Sequence, residues 1–304
     1  MRISTNTIYQ SGISKISALQ SEQAKLQQQI STGKRISSPS DDPIAAARAL
    51  ELAHAQGINS KFADTRKTAQ TKLNTTESNL ASVTSLLVAT QSTLVGAGNG
   101  VLSNTERASI ASELNGSLQA LVGLANEQDA SGNFIYAGFQ TGTAPFVATA
   151  SGATYTGDSN QQLLQVDSQR QMAMNVTGDN VFQANGNDTF KTLSDLVTLL
   201  NTPITNTATQ AAFSAGLATA ISSLQGSVDN VINVRAATGS KLNELDALDT
   251  SGSARDLQYS KSLSDVQDTD YASALSDLSK NQTIMDAAQK SFVEITSLSL
   301  FKFM

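Results

Sequence analysis

The chain has 304 residues, 39% of them hydrophobic, with a formal charge of −6 and a pI near 4.8. At roughly 150 residues per domain the length suggests two domains and ample material for a core, and the acidic balance argues against a nucleic-acid binder, which would carry a basic patch. Cysteine and tryptophan are absent and His54 is the only histidine, which removes thiol nucleophiles, Cys/His zinc sites and histidine acid–base chemistry together. Charged residues are only 15% against a typical ~25%, so polarity rests on Ser, Thr, Asn and Gln. The start, Met1-Arg2-Ile3-Ser4-Thr5-Asn6-Thr7, lacks an apolar leader, and no uninterrupted apolar run approaches the ~18 residues of a membrane span. Neither leader-directed export nor membrane insertion is expected.

Residues 1–72 hold ten Lys/Arg and five Asp/Glu, a net +5, whereas 73–304 hold ten and twenty-one, a net −11. In the first stretch Ile16, Leu19, Leu26 and Ile30 fall at offsets of 3, 7 and 4, a coiled-coil seam with Gln23 at one of its core positions. Gly33 supplies a left-handed end to that helix. The linker Lys34-Arg35-Ile36-Ser37-Ser38-Pro39-Ser40-Asp41 then leads to Asp42-Pro43, an N-cap followed by proline at the first helical position.

Apolar residues at helical spacing, among them Ala49, Leu52, Leu73, Leu80, Val83, Leu87 and Leu94, predict a long helix over about 43–95. Three glycines within Gly96-Ala97-Gly98-Asn99-Gly100 end it, and a second helix is expected from about 105 to 128. From Gly132 the pattern changes: Phe134, Tyr136, Phe139, Phe146, Tyr155, Phe182 and Phe190 are interleaved with turn signals. The segments 162–166 and 172–176 read as short strands of a β-rich insertion. Helical spacing resumes at Leu193 and again over about 208–248, where Ser251-Gly252-Ser253 reads as a break or kink. The last segment carries Leu263, Val266, Tyr271 and Leu275, and then Leu278, Met285 and Phe292 at steps of seven, a second coiled-coil seam with Ile284, Ala288 and Ile295 beside it.

The expected fold is therefore mainly α with an inserted β-rich domain. Its segments are 1–42, an N-terminal assembly helix and linker; 43–130 with 191–255, a helical body; 131–190, the insertion; and 256–304, a C-terminal assembly helix. A chain that goes out and returns brings its ends side by side, so the two seams pair with each other or with other subunits. Because each seam is narrow and isolated helices are marginal in water, the ends are expected to gain order on assembly.

Motifs that could carry chemistry fail on inspection. Ser31-Thr32-Gly33-Lys34 matches S-x-x-K, but Gln28 stands where a phosphate-binding loop needs glycine and no K-T-G accompanies it. The glycines of 96–100 follow a helix and lack the last glycine of a dinucleotide fingerprint, where Val101 stands. Asp179 to Asp188 resembles a calcium loop but has Val181 and Gln183 at ligand positions. The cluster Asp265, Asp268 and Asp270 is scattered over more than one helix face. No catalytic, cofactor or metal site is expected. An enzyme built on the insertion would have to draw on Asp158, Asp167, Asp179 and Asp188.

Several motifs in combination resemble the bacterial flagellin superfamily, and within it the hook–filament junction branch. At the amino end these are Met1-Arg2-Ile3-Ser4-Thr5 with Tyr9, then Gln27-Gln28-Gln29-Ile30-Ser31-Thr32-Gly33-Lys34-Arg35-Ile36 and Pro39-Ser40-Asp41-Asp42-Pro43. Others are Gly239-Ser240-Lys241-Leu242-Asn243-Glu244-Leu245, Asp268-Thr269-Asp270-Tyr271-Ala272, and, in the insertion, Phe134-Ile135-Tyr136-Ala137-Gly138-Phe139 with Ala144-Pro145-Phe146. The ending Leu298-Ser299-Leu300-Phe301-Lys302-Phe303-Met304 departs from the usual filament-subunit tail.

The resemblance implies a flagellin-like fold with long antiparallel terminal helices, and a structural, non-enzymatic role without cofactor. It implies export through the flagellar type III channel to an extracellular position, guarded beforehand by a cytoplasmic chaperone. The partners implied are hook-associated protein 1, flagellin and further copies of the chain in a ring layer, with a filament-forming flagellin as the alternative. In that scheme Ile16, Leu19, Leu26, Ile30, Leu275, Leu278, Met285, Phe292 and Ile295 form the assembly interface, and the insertion forms an exposed knob.

Overall fold

The computed structural model describes residues 2–98 and 102–301, with the side chains of 2–6, 8 and 296–301 left aside. The expected breaker at 96–100 is thus described only through Gly98, and residues 302–304 of the unusual tail lie outside the described residues. The chain divides into two compact units, one of residues 1–59 with 254–304 and one of residues 60–253. Residues 131–190 share a unit with most of the helical body, and residues 43–59 of the long helix go with the terminal segments.

In the first unit, α1 (Arg2–Thr32) packs against α7 (Tyr271–Phe301), and both are joined by the beginning of α2 (Pro43–Ala97) and the end of α6 (Thr207–Gln267). Gly33 takes the left-handed conformation expected of it, with φ +71°, and its N–H donates to the Gln29 carbonyl at 2.9 Å. Asp42 accepts the Ala45 N–H at 3.0 Å, the cap foreseen before Pro43. The return turn is bound to the outgoing linker through backbone groups: Arg35 N–H donates to Gln267 O at 2.7 Å and Thr269 N–H to Gly33 O at 2.9 Å.

In the second unit, residues 60–97 of α2, α3 (Asn104–Ala125), α5 (Thr189–Asn201) and α6 enclose a core built from Leu80, Leu87, Leu94, Leu114, Leu121, Leu193, Leu196 and Leu224. α3 opens on a full capping box, Ser103 and Glu106 satisfying each other's backbone N–H. An 18-residue window of α2 reaches a mean hydropathy of 1.4, long and apolar enough by composition to cross a membrane. Leu80, Leu87 and Leu94 of the same helix line this core, and a third of the window is buried.

The insertion forms two antiparallel hairpins, β1–β2 (Phe146–Thr149, Gly152–Tyr155) and β3–β4 (Leu163–Asp167, Arg170–Ala173). The second pair lies where strands were expected; the first was not anticipated, its four-residue strands being too short for a clear alternation. A short helix, α4 (Gly178–Phe182), follows. Phe146, Phe182 and Phe190 form an aromatic knot with centroids 4.8–5.4 Å apart, while Val166 and Met172 of the second hairpin pack with Ala69, Leu73 and Leu245 of the helices. The insertion thus shares its apolar residues with the body.

The expected break at 251–253 does not occur: α6 runs unbroken from Thr207 to Gln267. Gly252 is there for space. A Cβ on it would lie 2.4 Å from Nη2 of Arg66, whose side chain is 1% exposed, donates through Nε to Asp249 at 3.1 Å and through Nη1 to the Val166 carbonyl at 3.2 Å.

Candidate assembly site

The helices α1 and α7 run antiparallel, and two glycines fix how they meet. A Cβ on Gly12 would stand 2.6 Å from the Phe292 ring, and one on Gly33 2.9 Å from the Tyr271 hydroxyl. In both pairs the residue numbers total 304, so the same alignment sets Ile16 level with Ala288, Leu19 with Met285, Gln23 with Asn281, Leu26 with Leu278, and Ile30 with Ala274. These positions advance by steps of 3 and 4 on both helices, the spacing of a coiled-coil seam. Large side chains lie across from small ones in four of the seven layers, which lets the helices approach closely.

Of the nine residues expected at the interface, Leu26 is buried, and Ile16, Leu19, Ile30, Leu278, Met285 and Phe292 are half-buried along this seam. Leu275 and Ile295 remain 53% and 54% exposed. The inward position beside Leu275 belongs to Ala274, which is 6% exposed; one residue is about 100° on a helix, enough to turn Leu275 off the seam. At the far end Tyr9 packs against Phe292, the ring planes tilted by 45° and the centroids 5.1 Å apart.

Sequence reasoning missed Gly12, Ala274 and Asn281 and set Ala288 beside the seam instead of in it, because a search for large apolar side chains passes over small and polar seam positions. The signal was present in the sevens Ala274, Asn281 and Ala288, interleaved with those of Leu278, Met285 and Phe292.

The turns around this helix pair are held by carboxylates. Asp41 accepts the N–H groups of Ser37 and Ser38 at 3.1 and 2.9 Å and pairs with Lys25 at 3.2 Å. The Ser38 N–H above all holds its carboxyl below the ordinary range. Asp42 is lowered chiefly by the Ala45 N–H and pairs with Arg35 at 3.4 Å. Asp270, one of the three acidic residues weighed as a cation site, accepts the N–H groups of Ala272 and Ser273 at the start of α7, and Asp268 accepts the Ser264 hydroxyl at 2.5 Å.

The aspartates of the insertion are likewise occupied with its own turns. Asp158 takes the Phe139 and Asn160 N–H groups, Asp179 the Ser159 hydroxyl, and Asp188 caps α5 through the Lys191 N–H. Tyr136 and Tyr155 tie this region together: the Tyr136 hydroxyl donates to Asn79 Oδ1 at 2.6 Å, and the Tyr155 hydroxyl reaches the carbonyls of Tyr136 and Asp158 at 2.9 and 2.7 Å. The Phe-Ile-Tyr-Ala-Gly-Phe motif is thereby a packing device. Its Gly138, at φ +68°, leaves no room for a Cβ, which would lie 2.2 Å from Asp158 Oδ1.

Residues 3–141 match the bacterial flagellin N-terminal helical region. The chain is 37% identical to flagellar hook-associated protein 3 of Escherichia coli K12, with 99% of each chain covered, and equally similar to its counterpart from Salmonella typhimurium LT2. Among solved structures, a flagellar hook-associated protein from Vibrio parahaemolyticus superposes with a TM-score of 0.67 at 24% identity, covering 75% of this chain and 100% of that one. The flagellar hook-associated protein-3 of Legionella pneumophila superposes at 0.66 and 17%, covering 73% and 98%. These two show the same fold.

Proposed function

The chain belongs to the family of flagellar hook-associated protein 3, and from that premise we propose that it forms the layer of subunits between hook and filament, held by the paired helices α1 and α7. It is a structural component of the bacterial flagellum and not an enzyme, and relatives matched over 99% of their length carry the hook-associated name, so filament-forming flagellin is the less favoured reading.

One observation carries the assembly role: the helix pair buries too little of itself. Ile16, Leu19, Ile30, Leu278, Met285 and Phe292 are only half-buried along the seam, and Ile13, Leu275, Ile284, Val293 and Ile295 stand 45–63% exposed beside it. Two helices can cover only one strip of each other, and apolar surface at roughly 25 cal/mol per Å² rewards further helices that cover the rest. Copies of the same chain in a ring supply them laterally, hook-associated protein 1 on the hook side and flagellin on the filament side. A chain whose terminal seams are exposed before assembly also calls for a cytoplasmic chaperone and for export through the flagellar channel to its extracellular place.

The test is complementation of a strain deleted for this gene. Restored filaments and swimming, where the deletion left bare hooks and shed flagellin, support the junction role; filaments persisting in the deletion strain refute it. Phe292→Asp and Leu275→Asp, each secreted with the second unit intact, are expected to fail at the hook. Normal filaments on both variants would move the assembly surface off these helices.

A further inference from the structure

We propose that Gln23 and Asn281 form a polar layer that locks the register of α1 against α7. Asn281 is 8% exposed, in the middle of the seam, and its Oδ1 has no hydrogen-bond partner among the described residues. The alignment set by Gly12 on Phe292 and Gly33 on Tyr271 places Gln23, half-buried, at the same level. These are the two amide side chains of the seam. Only in this register do the Gln23 N–H groups share a layer with the Asn281 oxygen, which stands unpaired here and which a rotation of the Gln23 side chain would satisfy.

Heptad seams slip by sevens, since a shift of seven residues returns core positions to core positions. A slip in one direction would set Asn281 against Ile30 and Gln23 against Ala288; in the other, Asn281 against Ile16 and Gln23 against Ala274. Either separates the two amides and leaves each facing hydrocarbon, which penalises a buried polar group. The consequence reaches assembly: a seven-residue slip slides the outward faces of the two helices past one another by about 10 Å at 1.5 Å per residue, so Leu275 and Ile295 would meet the wrong level of a neighbour. A lone polar layer that sets register at some cost in stability is a known device of coiled coils.

The absence of cysteine makes disulfide trapping in the full-length chain a direct readout. Ile16→Cys with Ala288→Cys reports the observed register, and Ile16→Cys with Ile295→Cys the slipped one. In the otherwise unaltered chain the first pair is expected to cross-link in excess by about tenfold, the factor carried by one buried hydrogen bond that only this register can form. Adding Gln23→Leu and Asn281→Leu should bring the slipped pair up to comparable yield while helix content is kept or raised. The exchanged layer, Gln23→Asn with Asn281→Gln, should restore the excess. Single leucine variants, expected to be intermediate, serve if the double variant aggregates. Equal yields in the unaltered chain, or an excess undiminished in the leucine variants, would overturn the proposal; the second result would assign the register to the glycine contacts alone. None of these outcomes depends on the junction role.

Discussion

Gly12 and Phe292, 280 positions apart in the chain, touch so closely that a Cβ on the glycine would come within 2.6 Å of the ring. A glycine inside a helix lowers its stability by roughly 0.5–1 kcal/mol relative to alanine, and here the missing side chain is what admits the aromatic. Gly12→Val should therefore separate α1 from α7 at that end. Loss of swimming and of hook attachment is expected, with the thermal unfolding of residues 60–253 unchanged. Normal attachment of the valine variant would show that the contact is dispensable.

Two glycines on α6 should respond to alanine with opposite signs. At Gly252 the new Cβ would displace the Arg66 guanidinium, and overpacking of this kind typically costs about 1–3 kcal/mol. At Gly239 nothing lies within 4 Å of a Cβ, so alanine should stabilise by about 0.4–1 kcal/mol. Denaturant titration of the two variants against the parent chain checks both signs.

Alkaline stability should depend on Tyr155. Burial is the largest of the causes that push its hydroxyl from an ordinary 10.0 up to about 12. Below pH 10 the hydroxyl is protonated whether the chain is folded or unfolded, and its full contribution is present. Between pH 10 and about 12 the unfolded chain releases the proton first, so the contribution falls as pH rises. Tyr155→Phe, which removes the hydrogen bonds to the Tyr136 and Asp158 carbonyls, should cost about 0.5–1.5 kcal/mol at neutral pH. Its deficit should shrink across that alkaline window. A constant deficit from pH 8 to 12 would contradict the assignment.

Amide exchange should divide the molecule by the depth of its packing. In the free chain the half-buried seams at 10–30 and 275–295 are expected to exchange far faster than the core positions Leu80, Leu87 and Leu224, which are fully buried, because local opening is easiest where little apolar surface is covered. Assembly should slow the seams selectively. Strong protection of both seams in dilute free chain would mean that two helices alone suffice.

Much of the architecture was legible in residue order. The seams of α1 and α7, the cap at Asp42-Pro43, the left-handed Gly33, the long helix after Pro43 and the second hairpin all follow from local patterns. Short-range sterics and helical periodicity act within a few residues and leave a mark there. What periodicity could not decide was phase: Ala274 and Leu275 are neighbours, and only the position of the partner helix makes the alanine the inward residue and turns the leucine outward. Nor could it distinguish a glycine that ends a helix from one that makes room within it. Gly252 reads as a break until Arg66, nearly two hundred positions earlier, is brought against it. The sequence by itself determined which segments are helical, which faces are apolar and which family the motifs match. Tertiary structure decided the pairing level of α1 and α7 and the polar layer at Gln23 and Asn281, because those depend on which residues the fold brings together from opposite ends of the chain.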